Sequence, residues 1–145
     1  MLLKYLFYFL LFTISLAEAI GQGNGVAEQE RRIMQLADDT VKINRLNAFA
    51  EKIQFSQPAV AIQVIQETIR LAEKINYPLG LSIAYGLRAG LLFYEMKLDS
   101  CKLLLDKAFV LIHKNTDNAS RNQQANLINL YAAIDQRNQN YVSAV

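Results

Sequence analysis

A single cysteine, Cys101, excludes an intramolecular disulfide and leaves the redox compartment open. Together with the one histidine, His113, it offers little from which to build a metal site. Asp38-Asp39 lacks further ligands and reads as a helix cap. The chain has no Gly-rich phosphate loop, no Ser/His/Asp set and no metal-ligand spacing, so the inventory does not favour an enzyme and implies no cofactor. Basic clusters are missing too: net charge is +2, acids and bases alternate, and Arg31–Arg32 is the one adjacent basic pair. Nucleic acid and anionic lipid need clustered Lys and Arg, so neither is the expected partner. No Gly, Ser or Pro tract suggests disorder, and 145 residues fit one domain.

The first nineteen residues are the most apolar. Lys4 precedes the nearly unbroken apolar stretch Tyr5 to Leu16, and Ala17-Glu18-Ala19 supplies a small-x-small cleavage pattern. The run is too short to span a bilayer as a helix, which needs about 20 residues. Residues 1–19 therefore read as a signal peptide cleaved after Ala19, with export to a periplasmic or extracellular location; an uncleaved membrane anchor is the alternative. Residues 20–38 read as a glycine-rich lead followed by a short helix, about Val26 to Leu36.

Beyond Asp38 the apolar residues recur at three-to-four spacing, which predicts amphipathic helices. Asp38-Asp39-Thr40 offers N-cap oxygens for a helix from about Val41 to Phe55. Pro58 opens a second to about Ile75, where its missing N–H costs nothing. Asn76-Tyr77-Pro78 breaks the chain before a third, about Leu79 to Met96. This third helix is the most apolar and should lie centrally. Its Gly86 and Gly90 predict close approach of a neighbour, which would offset the roughly 1 kcal/mol cost of mid-helix glycine. A fourth helix covers about Asp99 to Lys114 and a fifth about Ala119 to Arg137. Asn138-Gln139-Asn140 then reads as a turn, with a sixth helix beginning at Tyr141.

Displaced by forty residues, the chain matches itself: Ala50 meets Gly90, Ile53 Phe93, Ala61 Cys101, Ile65 Leu105 and Thr68 Ala108. Small residues meet small ones, and large apolar residues mostly meet large ones. A repeated helix pair cannot bury its own apolar face, so its copies must stack.

These residues resemble tetratricopeptide repeats. Leu46 to Ala50, Ile53, Ser56-Gln57-Pro58, Ala61 and Ala72-Glu73-Lys74 carry the likeness in the first unit. Gly90, Phe93, Leu98, Cys101, Leu105 and Ala108 carry it in the second; Leu130-Tyr131, Ile134, Tyr141 and Ala144 carry it in an incomplete third, where the register slips to 43. The pattern is similar to the roughly forty-residue repeats in exported sensor portions of bacterial signalling proteins. Thr68 and Cys101 depart from the usual alanine but remain small. The resemblance implies an all-α fold with antiparallel helix pairs stacked as a right-handed superhelix. Its units would be residues 39–76, 78–115 and 118–145.

In such a stack, Ala61 and Cys101 should mark the crossing within each pair, and Thr68 and Ala108 the contact with the next. By the same resemblance the first helix of each unit lines a concave groove. Its candidates are Asn47, Glu51 and Gln54, then Leu87, Leu91 and Tyr94, then Ile128 and Asp135. Leu87, Leu91 and Ile128 read alternatively as core, which leaves Glu51 and Tyr94 as the better partner contacts. The expected function is a non-enzymatic, exported scaffold that binds a peptide or protein segment. The alternative is the sensory part of a longer signalling protein, a histidine kinase or transcriptional regulator whose output domain is missing. Self-association through the incomplete third unit is a further expectation.

Overall fold

The computed structural model describes residues 25–142, with side chains as far as residue 139. The expected signal segment, including Ala17 and Ala19, lies outside the described residues, as does Ala144. Every regular element among the described residues is an α-helix. Two compact units divide between Leu36 and Ala37. The first contains α1, residues 25–34, where Glu28 pairs with Arg31 and Arg32 one turn on.

The second unit holds five helices: α2 (Thr40–Ile53), α3 (Pro58–Lys74), α4 (Pro78–Tyr94), α5 (Leu98–Ile112) and α6 (Asn118–Val142). Their starts follow local chemistry. Asp39 caps α2, its carboxylate accepting from the Lys42 N–H at 2.9 Å. Pro58 and Pro78 open α3 and α4. Asp117 accepts from the Ser120 N–H at 2.9 Å at the start of α6, and that bond is the main reason its carboxyl titrates below the usual range.

Two helices end alike. Asn76 after α3 and Met96 after α4 take left-handed backbone, φ 53° and 61°. In each case the next N–H reaches back to a carbonyl five residues earlier, Tyr77 to Ala72 and Lys97 to Leu92, both at 2.9 Å. This satisfies carbonyls that a helix end leaves open. Asn tolerates the conformation; Met pays a steric cost there.

Helix α4 is central: it packs against α2, α3, α5 and α6, whereas α3 and α5 do not meet, nor do α2 and α6. Neighbours in sequence form antiparallel pairs, α2 with α3 and α4 with α5. Helices α2, α4 and α6 run side by side and parallel. Asn47 bonds Gly80 near the start of α4, and Phe55 meets Tyr94 at its end. Likewise Gln123 bonds Ser82, and Arg137 bonds Phe93.

The buried positions repeat. Ala50, Ala61, Ile65 and Thr68 are fully enclosed, as are Cys101, Leu105 and Ala108. Thr68 turns its hydroxyl onto the Val64 carbonyl at 2.7 Å, so it fills an alanine-sized space with its polar atom satisfied. Ser82 donates to the Ala108 carbonyl at 2.9 Å, joining α4 to α5. Ala108 also shares a buried cluster with Leu127 and Ile134 of α6. Burial pushes the Cys101 thiol up in pKa, away from the reactive thiolate.

Two expectations are corrected. The turn at Asn138-Gln139-Asn140 and the sixth helix from Tyr141 do not form: α6 continues unbroken to Val142. Asn and Gln are compatible with helix, and no proline or glycine forces a break. Gly90 also has no close neighbour; a Cβ added there would meet nothing within 4 Å. Gly86 does meet one, with Gln123 Nε2 3.0 Å and Leu127 Cδ2 3.2 Å from that position. The tightest approach is at Gly80, where a Cβ would lie 2.5 Å from both Ile43 Cγ2 and the Tyr77 ring.

Candidate binding groove

Because α4 lies between α2 and α6 without those two meeting, its exposed face forms the floor of a trough. A cavity of about 430 Å³ occupies it. Glu51 of α2 stands on one side, and Ile83, Gly86 and Leu87 of α4 lie below. The α6 wall presents Asn122, Gln123, Asn126 and Leu130, with Ala119 and Leu127 between them. The volume suits a ligand site, which commonly spans roughly 300–1,000 Å³.

Helical period explains the lining. Ile83, Gly86 and Leu87 sit three and four residues apart, on one stripe of α4. On α6, residues 119, 122, 123, 126, 127 and 130 form the equivalent stripe. Gly86 lets α6 approach closely enough for Gln123 Nε2 to donate to the Ser82 carbonyl at 3.2 Å.

The eight expected groove residues scatter. Glu51 and Leu87 line the cavity; the other six do not. Asn47 is buried, 3% exposed, and its Nδ2 donates to the Gly80 carbonyl at 2.9 Å while its Oδ1 has no partner. It joins α2 to α4. Leu91 is core, 5% exposed. Tyr94 is exposed beyond the cavity, edge-on to Phe55 with ring centres 5.0 Å apart. Gln54 is half-buried outside the lining, and Ile128 and Asp135 lie exposed on another face of α6. The missed residues were Ile83 and Gly86 of α4 and Ala119, Asn122, Gln123, Asn126, Leu127 and Leu130 of α6. A strict forty-residue shift finds some of them, because Ile83, Gly86 and Leu87 fall on Gln123, Asn126 and Leu127.

The groove's electrostatics are simple. Glu51 is its one formally charged lining residue. Glu51, Asn122 and Asn126 have no hydrogen-bond or ion-pair partner among the described residues. The acids that do pair lie elsewhere. Asp38 takes Lys74 at 2.8 Å and Lys42 at 2.9 Å, and these bonds hold its carboxyl down at about 2. Tyr131 donates to Asp106 at 2.5 Å, and burial together with that carboxylate raises the phenol's pKa.

Outside the groove, Arg137 fastens the far end of α6. Its Nη1 donates to the Phe93 carbonyl at 3.1 Å, and its guanidinium lies 4.2 Å from the Phe93 ring centre. His113 is exposed beside the Val110 carbonyl and stacked on Phe109. A second cavity, about 440 Å³, lies on the opposite side of α4, bordered by Leu81, Tyr85, Leu103 and Val110 among others.

No group of three or more His, Cys, Asp or Glu among the described residues could hold a metal ion. No helix among them is long and apolar enough to cross a membrane. Compared with protein-family models, curated proteins and solved structures, the chain matches none.

Proposed function

We propose that this chain is a non-enzymatic binding scaffold of tetratricopeptide-like architecture, exported from the cell, that holds a segment of another protein in the trough over α4. The carrying observation is the trough itself, with an apolar floor from α4 and unpartnered carboxamides on α6 facing a carboxylate on α2. Side-by-side contact of α2, α4 and α6, without contact between α3 and α5, supports a curved stack over a bundle about one axis. The lining contains no cysteine, histidine or hydroxyl nucleophile, which favours binding over catalysis. Export rests on Lys4, the apolar stretch after it and Ala17-Glu18-Ala19.

A phage-displayed library of random heptapeptides, selected on the purified chain, tests the reading. Enriched peptides should lose binding to Leu87→Asp, in the trough, and keep it on Leu103→Asp, on the opposite side of α4. Equal binding to both variants would overturn the trough as the site.

A further inference from the structure

The trough has a period as well as a composition. Asn122 and Asn126 stand four residues apart on α6, a rise of about 6 Å, and Ile83 and Leu87 repeat the interval on parallel α4. An extended peptide places alternate residues roughly 6.5–7 Å apart on one side. One such strand, laid along the helices, could rest alternate side chains on Ile83 and Leu87. Its backbone edge would then face the two carboxamides, each able to donate and accept. A helical ligand presents no free backbone edge and could meet those amides only through its side chains.

The other edge faces α2, where Glu51 stands alone. An unpaired carboxylate opposite neutral amides gives the trough a sign. An acidic segment would be repelled and a neutral one would gain nothing from it; a long Lys or Arg side chain set between the floor-facing residues can bend over the strand edge to reach Glu51.

We propose that the occupant is an extended peptide segment in which a Lys or Arg, set between apolar residues, pairs with Glu51. This rests on the trough being the binding site. The same heptapeptide library separates the two ideas. On the wild-type chain, Lys and Arg should be enriched among binders. A representative binder should weaken about fivefold on Glu51→Gln, the size of a part-exposed ion pair. Selection on Glu51→Lys should favour Asp and Glu instead. Glu51 is exposed, so circular dichroism should show unchanged melting for both variants. Binders sensitive to Leu87→Asp but without basic preference, or with the same preference on Glu51→Lys, would overturn the charge assignment and leave the trough standing. Binders insensitive to Leu87→Asp would overturn both.

Discussion

The pair α2–α3 and the pair α4–α5 have matching cores and differ in the face they show the trough. Ala61 and Cys101, Ile65 and Leu105, Thr68 and Ala108 occupy matching enclosed positions forty residues apart. At the trough the correspondence breaks. Asn47 is buried and bonded to Gly80, whereas Leu87, its counterpart, lines the cavity. Glu51 lines the cavity, whereas Leu91 is core. Repetition therefore preserves the sizes that let helices cross, and variation supplies the chemistry that a ligand would meet. The α6 stripe continues this division, with Gln123 and Asn126 where α4 has Ile83 and Gly86.

If the two cores are equivalent, cutting either should cost alike. Ile65→Ala and Leu105→Ala should each lose about 2–5 kcal/mol, the usual range for truncating an enclosed aliphatic side chain. Chemical denaturation reads both, and a negligible loss at either position would break the equivalence.

The glycines of α4 sharpen the contrast because they should respond with opposite signs. Gly80→Ala drives a methyl into Ile43 and Tyr77, and should destabilise by about 1–3 kcal/mol. Gly90→Ala meets open space, and should stabilise by about 0.5–1 kcal/mol through reduced backbone entropy in the unfolded chain. Melting temperatures that move in the same direction would contradict this packing.

Arg137 offers a smaller test at the far end. Arg137→Ala removes one carbonyl bond and one cation–ring contact, about 1 kcal/mol together. The loss should appear as faster amide exchange in the C-terminal half of α6, with α2 and α3 unaffected.

Asp38 distinguishes the first pair by pH. Its folded pKa is depressed, so its contribution is complete above the unfolded value near 4 and fades as pH falls through about 2. The melting difference between wild type and Asp38→Asn should shrink across that window. A difference constant from pH 5 to 2 would mean that Lys74 and Lys42 do not hold it in solution.

Much of the fold was legible where single residues dictate the backbone. Asp39, Pro58 and Pro78 fixed three helix starts, and the Asn76-Tyr77-Pro78 break fixed an end. The continuity of α6 was not legible, since Asn138-Gln139-Asn140 has the composition of a turn but nothing that forbids helix. The trough was legible only in small part: Glu51 and Leu87 followed from the repeat resemblance, but a slipped register directed attention to Ile128 and Asp135. Gly80 escaped notice because a glycine three residues into a helix looks like an ordinary early-turn residue. Arg137 escaped because a pattern of sizes does not reveal a cation that meets another helix's end.

The central claim is that α2, α4 and α6 form a row, with α4 between the others. Nuclear Overhauser contacts in the isotope-labelled chain test it most directly. The row predicts contacts from the Asn47 side-chain amide to Gly80 and from the Gln123 side-chain amide to Ser82. It predicts none joining α3 to α5 or α2 to α6. Cross-peaks between either of those separated pairs would show helices closed about one axis, and the trough would not exist.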